Sequence, residues 1–306
     1  MKFTIFQESR IGKRKNNQDR IAHCYTRDAL LMVLADGMGG HLHGEIASHI
    51  AMQSVTQSFQ RKAQPVLVDP ALFLSQAITA AHNAILDYAF DKSLSEVPRT
   101  TVVVCVVQGC YAYWAHAGDS RLYLLREGRI HSQTHDHSRV QLMMDQGLLD
   151  VHSAATHPNR NRIYSCLGGT QPPQIDFSRR TMLRNGDIVM LCSDGAWGPL
   201  GNENIVRGLS GANPIEAVPR MLSQAEEKAG AGCDNLSMVA MAWLDEMAQA
   251  IADVVSTQTM ALTDFTTQMD TFDRLHPPAG SSVDLTEDEI ERAIAEINTA
   301  IRKFTK

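Results

Sequence analysis

The sequence predicts an α+β domain in which mainly antiparallel sheets carry long packed helices. Short apolar runs bordered by Gly, Asp, Asn and Ser recur through residues 1–244, and their lengths suit buried strands. Two junctions between such runs, Gln108-Gly109 and Glu127-Gly128, are typical of hairpin turns. Strands and helices follow one another without regular βαβ alternation, which favours antiparallel over parallel sheets.

Three amphipathic helices are predicted among these strands. Apolar residues recur at helical spacing from Ile46 to Phe59 and again from Leu74 to Tyr88. A third helix is expected to cover Pro214 to Lys228. These helices are the elements that would cover the outer faces of the sheets.

The composition changes after Asp245, so we divide the chain into a domain of residues 1–245 and an extension of residues 246–306. Ser, Thr, Gln and Met become frequent there, and no strand pattern continues. Apolar residues from Ile251 to Phe272 follow a heptad-like spacing. The sequence therefore predicts a helical C-terminal extension.

The final part of the extension is predicted to be a separate helix. The breaker-rich segment HPPAGSS at 276–282 precedes a capping box that begins at Thr286. Apolar residues then recur in steps of four and three from Ile290 to Phe304, a seam that favours a partner. The two seams can pair as a hairpin or dock on another chain, in a dimer for example. The alternative is a solvated extension packed on its own domain.

Composition excludes several other classes of protein. The hydrophobic fraction of 44% and charged fraction of 20% are ordinary for a globular chain of 306 residues, and the net charge of −6 argues against a nucleic-acid partner. No apolar run approaches a membrane span, and the amino terminus lacks a signal-peptide core. The cysteines are scattered without a CxxC pair, which favours free thiols in a reducing cytoplasm. They are Cys24, Cys105, Cys110, Cys166, Cys192 and Cys233.

Five aspartates lie at the ends of apolar runs. Asp36 and Asp194 each follow a run and precede glycine, Asp119 follows YWAHAG, and Asp19 and Asp234 each come just before a run. One such aspartate is most often only a turn residue. If all five meet at one rim of a sheet, their repulsion requires a cation, and hard oxygen ligands favour Mg²⁺ or Mn²⁺ over zinc. The spacing alone leaves five independent turns open as the alternative.

These residues belong to a series of motifs that resembles the PP2C-type, metal-dependent serine/threonine protein phosphatases of bacteria. The resemblance spans about residues 3–244 and places eight motifs in the family's order. They are NNQD at 16–19, DGMGG at 36–40, RTT at 99–101, GDSR at 118–121, DHS at 136–138, LGG at 167–169, SDG at 193–195 and DN at 234–235.

The resemblance implies an αββα sandwich of two antiparallel sheets flanked by helices, with the active site at one end. It also implies a small helical flap at about 138–162 beside that site. Arg160 and Arg162 in the flap either meet substrate or solvate a loop. Asp136-His137-Ser138 is then a structural motif, although the HxH spacing of His135 and His137 by itself suggests a metal site.

Two metal ions are implied by the same resemblance. Asp36 would bridge them, and the backbone carbonyl of Gly37 would be a further ligand. Asp194 and Asp234 would bind the second ion, while Asp19 would help to hold the site. The expected cofactors are Mn²⁺ or Mg²⁺.

Other site roles carried over from the family concern phosphate and a third ion. Arg14, five residues before Asp19, matches a phosphate-binding arginine, and Asp119 with Asp194 matches the support of a third, weaker ion. Two positions depart from common patterns. Gln18 replaces a frequent Glu, and Met38 stands where animal members carry a histidine proposed as general acid, so the proton donor is unassigned.

The implied activity is hydrolysis of phosphoserine and phosphothreonine by direct attack of a water activated between the two ions, without a phosphoenzyme. The expected partners are phosphorylated proteins, namely a serine/threonine kinase or its substrates. An alternative is a phosphoprotein-binding module on the same fold, which loss of a metal ligand would favour. A hydrolase of small phosphoesters is a third reading. All five aspartates are present, which favours the enzyme.

Overall fold

Two antiparallel sheets stacked face to face form the centre of the protein. The structure is a computed structural model that describes residues 1–38, 43–150, 153–154, 157–160 and 162–244, together with the backbone of residues 266–269. Strands alternate with helices in the order that the sequence predicts, and the sheets pair along antiparallel registers. The predicted α+β sandwich is confirmed.

The first sheet has five strands and carries both ends of the domain. The amino-terminal strand β1 pairs with β11, the strand that closes the domain, and β10, β6 and β7 follow in that order. Their bounds are β1 Phe3–Arg10, β6 Arg121–Arg126, β7 Arg129–Gln133, β10 Ile188–Cys192 and β11 Leu236–Trp243.

The second sheet is built around the central strands β2 to β5. Its order is β12, β2, β3, β4, β5 and β8, and β9 also pairs with β5. The bounds are β2 Asp19–Tyr25, β3 Ala29–Asp36, β4 Val102–Gln108, β5 Tyr111–Ala117, β8 Asp176–Phe177, β9 Thr181–Met182 and β12 Thr266–Met269.

Helices cover the outer face of each sheet. Within the described residues α1 Gly44–Lys62 and α2 Pro70–Asp91 cover one sheet, and α4 Asp194–Leu209 and α5 Pro214–Ala229 cover the other. The short helix α3 Arg139–Asp145 lies between β7 and β8 in the chain. The three helices predicted from periodicity correspond to α1, α2 and α5. None of the helices in the described part of the chain has the length and apolar character needed to cross a membrane.

Three apolar layers follow from the period-2 alternation of the strands. On β3, Leu31 and Val33 pack outward against α1 and α2, whereas Leu30, Met32 and Leu34 face the other sheet. A third cluster packs the five-stranded sheet against α4 and α5. The layers are therefore helices, sheet, sheet and helices, which confirms the αββα arrangement.

Both predicted hairpin turns are present. Glu127 and Gly128 both have positive φ, 51° and 70°, as a two-residue hairpin turn requires, and they join β6 to β7. Gly109, with φ of 60°, lies between β4 and β5. That turn is Gly109-Cys110, one residue later than predicted, because Gln108 pairs with Tyr111 as the last residue of β4. Glycine adopts such angles without strain, and these turns fix the register of the strands that they join.

Two elements differ from expectation. The helix α4 begins at Asp194 itself, where the sequence pattern alone had left a simple turn open. In the extension, residues 266–269 form strand β12 on the edge of β2, in a segment predicted to be helical. A sheet edge offers unpaired backbone groups that can capture a short strand, which periodicity in the segment does not reveal. The rest of the predicted extension, and its seams, lies outside the described residues.

The layer between the sheets makes a testable contribution to stability. Leu30 is fully buried there, so we expect Leu30→Ala to lower the free energy of unfolding by about 3 kcal/mol. Urea unfolding followed by circular dichroism measures the change. The matched control is Leu72→Ala, at a side chain that is 53% exposed, with an expected change below about 0.5 kcal/mol. Equal losses in both variants would contradict the layer assignment.

Candidate functional site

The register of the sheets brings aspartates to one end of the sandwich. Asp19, the first residue of β2, lies directly opposite Asp36, the last residue of β3. Asp194 follows β10, and Asp234 precedes β11, the antiparallel partner of β10. Asp119 lies in the connection between β5 and β6. These residues come from both sheets, and so the site lies across the sandwich.

Electrostatics confirms that the carboxylates converge. Burial, followed by the charges of Asp19, Asp194, Asp119 and Asp234, raises the pKa of Asp36 well above its ordinary value. Burial and the charge of Asp194 likewise raise the pKa of Asp119. Aspartates in five separate turns would lie too far apart to interact electrostatically in this way. The alternative of five separate turns is therefore excluded.

Asp19 lies deepest in this cluster. Its side chain is buried, and its Oδ2 accepts a hydrogen bond of 2.7 Å from Ser193 Oγ. Its Oδ1 has no hydrogen-bond donor among the described residues. Burial is the first cause that raises the pKa of Asp19 to about 6. A buried carboxylate oxygen without a donor, facing other carboxylates, fits an oxygen-binding divalent cation.

Ser193 connects this carboxylate to the neighbouring sheet. Its Oγ donates to Asp19 and accepts from the backbone N–H of Ser237 at 3.0 Å. Its own N–H donates to the carbonyl of Ser237 at 3.1 Å. The side chain of Ser193 therefore fixes the distance between the starts of β2 and α4.

The side chain of Asn235 holds the backbone of the segment before β2 at three points beside the cluster. Its Oδ1 accepts from the N–H of Gln18 at 2.9 Å, and its Nδ2 donates to the carbonyls of Ile11 and Asn16. The carbonyl of Gln18 in turn accepts from the N–H of Gly37 at 3.1 Å. Gln18 precedes Asp19 and Asn235 follows Asp234. The side chain of Asn235 therefore links the backbone beside Asp234 to the backbone beside Asp19, and through Gln18 to Gly37.

Close backbone approach explains two of the glycines at this point. A Cβ on Gly195 would lie 2.1 Å from the carbonyl oxygen of Asn235, and one on Gly12 would lie 2.0 Å from that of Asp234. Gly12 also has a φ of 63°. The Asp234-Asn235 segment is therefore enclosed between two backbones that tolerate no side chain.

The RTT motif fixes the main chain of Asp36. The carbonyl of Asp36 accepts from the N–H of Thr101 and from Thr100 Oγ1, both at 2.8 Å. The N–H of Asp36 donates to Thr101 Oγ1 at 3.2 Å. The backbone N–H and the carbonyl of Asp36 are therefore both hydrogen-bonded, which holds the residue that carries the central carboxylate.

Arg14 lies at the open side of the cluster. Its Nη2 is 2.6 Å from Asp234 Oδ2, and 57% of its side chain is exposed. The hydrogen bond to Asp234 is the first cause that raises the pKa of Arg14, with Asp194 and Asp36 contributing through their charges. A guanidinium between carboxylates and solvent can meet an incoming anion.

The structure separates the two histidines whose HxH spacing suggested a metal site. His135 and His137 do not converge: the ring of His135 faces Asp145, while that of His137 faces Asp176.

The segment predicted to be a flap contains the helix α3. This helix begins at residue 139, after the N-cap Ser138, and the backbone N–H of Arg160 donates to the carbonyl of His157. His41 lies outside the described residues.

Two hydrogen-bonding residues were missed by the sequence reasoning. Ser193 and Asn235 stand beside predicted ligands, in SDG and DN, but were quoted only as parts of motifs. The signal that could have identified them is that each is a polar residue directly beside a candidate ligand in the sequence.

Comparison with known proteins agrees with this geometry. Residues 6–231 match the family profile described as Protein phosphatase 2C. The serine/threonine protein phosphatase PstP of Mycobacterium tuberculosis is 32% identical over 226 residues, 74% of this chain but only 42% of the relative's length. The protein phosphatase PhpP of Streptococcus pneumoniae is 29% identical over 78% of this chain and 96% of its own.

A solved structure extends the comparison. The catalytic domain of a serine/threonine protein phosphatase PstP in complex with two manganese ions superposes with a TM-score of 0.66. It is 29% identical, and the match covers 80% of this chain and all of that one. This chain and that catalytic domain share the fold of two stacked sheets flanked by helices. The chain belongs to the protein phosphatase 2C family.

The raised pKa values predict how the metal-free protein responds to pH. Because burial and mutual repulsion raise the pKa of Asp19 to about 6, and raise that of Asp36 well above its ordinary value, the folded state binds more protons than the unfolded chain. This stabilisation is complete below about pH 4 and is lost as pH rises through 6 and above. In EDTA, the melting temperature of the wild type relative to Asp36→Asn should therefore fall from pH 5 to pH 8.

The neutral amide of that variant is the control because it removes the central charge at similar volume. Saturating Mn²⁺ should reverse the trend, since protons then compete with the ion. Parallel melting curves for wild type and Asp36→Asn across this pH range would contradict the electrostatic assignment.

Proposed function

We propose that this protein is a divalent-metal-dependent phosphatase that hydrolyses phosphoserine and phosphothreonine in proteins. The single observation that carries the proposal is the cluster of aspartates around Asp36, whose charges raise the pKa of Asp36. Such a cluster is costly without a cation, and its oxygen ligands suit Mg²⁺ or Mn²⁺. The activity of its relatives supports the same chemistry.

Four aspartates would hold the metal ions. Asp36, whose carboxylate feels the charges of the other four aspartates, would hold the ions together with the carbonyl of Gly37. Asp194 and Asp234 would bind one ion, and Asp19 would contribute its donor-free Oδ1. When bound, the ions would supply Lewis acidity and a water of lowered pKa.

The chain's own part in the reaction is to position the phosphoryl group. Arg14 places a permanently charged, half-exposed guanidinium beside Asp234, where it can form paired hydrogen bonds to phosphoryl oxygens. The fixed backbones of Asp36 and Gly37 keep the ligands from rearranging as substrate binds. Direct attack by water requires no nucleophilic side chain.

Asp119 would support a third, weaker ion together with Asp194. It is buried, and the charge of Asp194 contributes to its raised pKa. The manganese complex of the PstP catalytic domain contains two ions and favours Mn²⁺ for this chain as well. We place the main affinity at Asp36, Asp194 and Asp234, with Asp119 responding at higher ion concentration.

The partners we propose are phosphorylated proteins, in particular a serine/threonine kinase or its substrates. The site's acidic surroundings and the net charge of −6 argue against nucleic acid. Six free cysteines favour the cytoplasm. Dimerisation or docking through residues 246–306 stays a prediction, tested by gel filtration of the full chain against a chain ending at 244.

Metal removal and a ligand substitution test the mechanism. We expect activity on a phosphothreonine peptide with Mn²⁺, loss of that activity in EDTA, and at least about a 100-fold loss in Asp194→Asn. Asp91→Asn, at an exposed aspartate ending α2, is the matched control and should retain full activity. Activity that survives both chelation and Asp194→Asn would refute the mechanism.

Arg14 offers a separate test of phosphate binding. We expect Arg14→Ala to raise KM for the phosphopeptide about tenfold, because one charge-assisted contact is worth roughly that factor. Lys15→Ala removes an exposed cation from the same loop and should change KM less than twofold. Steady-state kinetics at saturating Mn²⁺ distinguishes them, and equal effects would assign Arg14 a general electrostatic role only.

A further inference from the structure

The loop that presents Asp119 is held from several sides. Gly118 packs against Thr101, whose Oγ1 lies 2.7 Å from Ser120 Oγ. The carbonyl of Asp119 accepts a 2.9 Å hydrogen bond from Trp197 Nε1. These contacts fix the loop on its inner side. Its outer side rests on the DHS segment, residues 136–138.

His137 makes the outer contact with both its backbone and its ring. Its N–H donates to the carbonyl of Gly118 at 2.9 Å, and its Nδ1 accepts from the N–H of Gly118 at 3.3 Å. A backbone N–H can only donate, so Nδ1 is unprotonated and the proton of the neutral ring is on Nε2. His137 thus satisfies both backbone groups of Gly118, the residue before Asp119.

The other ring nitrogen of His137 faces a carboxylate. Nε2 lies 3.2 Å from Asp176 Oδ2 on the edge strand β8, at ion-pair distance but without a hydrogen-bond partner among the described residues. Burial raises the pKa of Asp176, but His137, Gln174 and His116 together outweigh burial and leave that pKa below its ordinary value. His116 stacks on the ring with centroids 4.7 Å apart. The buried ring is therefore held in one orientation.

The same residue reaches the flap. The carbonyl of His137 accepts from the N–H of Tyr164 at 2.9 Å, and the Tyr164 ring lies 5.4 Å from that of His137. Ser138, the next residue, pairs with Ile163 and caps α3 by accepting from the N–H of Gln141. Both ends of the flap are therefore anchored at positions 137 and 138.

Asp136 makes a second connection between the DHS segment and the Asp119 loop. Both its oxygens accept from Arg121 at 2.8 Å, and the Arg121 guanidinium lies 3.4 Å over the Trp197 ring that binds the Asp119 carbonyl. The DHS segment therefore contacts the Asp119 loop at Gly118 and at Arg121.

We propose that His137 is a positioning residue that couples the base of the flap to the Asp119 loop. Its ring keeps the N–H of Gly118 directed inward and so sets where the Asp119 carboxylate lies, while its carbonyl holds Tyr164, just after the end of the flap. Displacement of the flap base is transmitted through one residue to the carboxylate that supports the weaker ion. The functional part of this inference rests on the proposed metal site, whereas the structural part does not.

A metal site at His116, His137 and Asp176 is the competing interpretation. Their ligand atoms lie within 4.8 Å of one another, and His116 Nδ1 has no hydrogen-bond partner among the described residues. Binding through His137 Nε2, however, would move the ring proton to Nδ1, where it would face the N–H of Gly118. Two donors would then oppose each other, so the geometry favours the positioning role.

A matched pair of substitutions separates the two ring nitrogens. In His137→Asn the amide Oδ1 replaces Nδ1 as acceptor for Gly118, whereas His137→Gln places its amide at the position of Nε2 and leaves Gly118 without an acceptor. Asp176→Ala keeps the ring but removes the group that faces Nε2. Asp91→Ala, at an exposed residue remote from the segment, is the control.

The first readout is amide hydrogen exchange at Gly118 in the metal-free protein, followed by NMR or mass spectrometry. We expect exchange about tenfold faster in His137→Gln, close to wild type in His137→Asn, and intermediate in Asp176→Ala. Circular dichroism melting confirms that each variant is folded. Unchanged Gly118 exchange in folded His137→Gln and Asp176→Ala would overturn the proposal.

The second readout is the Mn²⁺ concentration for half-maximal activity, which should rise several-fold in His137→Gln with little change in KM for the peptide. If the wild type has no phosphatase activity while the exchange pattern holds, the proposed function fails and the structural coupling stands. Zinc content is measured on dialysed protein. One Zn²⁺ per chain that is lost in both His137→Asn and Asp176→Ala would replace the positioning role by a metal site.

Discussion

The mutual repulsion of aspartates at one end of the sandwich is the constraint on which the rest of the site depends. Asp19 and Asp36 face each other across two strands, and Asp194 and Asp234 approach from the other sheet. Left alone, such a cluster would be relieved by protonation or by separation of the strands. The surrounding hydrogen bonds oppose separation, so the remaining ways to relieve the repulsion are protons and cations.

Backbone hydrogen bonds and side-chain hydrogen bonds hold different parts of the site. The backbones of Asp36 and Gly37 are hydrogen-bonded to neighbouring segments, which orients the Asp36 side chain and the Gly37 carbonyl. Ser193 and Asn235 supply the few side-chain contacts that join one sheet to the other. The apolar layer between the sheets holds these parts at a fixed spacing. Stability and ligand geometry are therefore set by different residues.

Much of the fold and the aspartates that converge at the site could be predicted from sequence because their signals are local. Alternating apolar runs gave the strands, and the position of Asp36 and Asp194 directly after buried strands marked them as candidates. Asn235 and His137 act on residues 217 and 19 positions away, and no periodicity encodes such pairs. Strand β12 was missed for the same reason, since its partner β2 lies far earlier in the chain.

The contacts of Asn235 have a consequence for synthesis of the protein. They join the segment that includes Ile11, Asn16 and Gln18 to the last strand of the domain, so the two ends of the domain must meet before the cluster exists. During translation the first strands emerge long before β11, and the early chain lacks Asp234 and Asn235. A polypeptide still on the ribosome therefore has an incomplete aspartate cluster, which closes only when β11 pairs with β1.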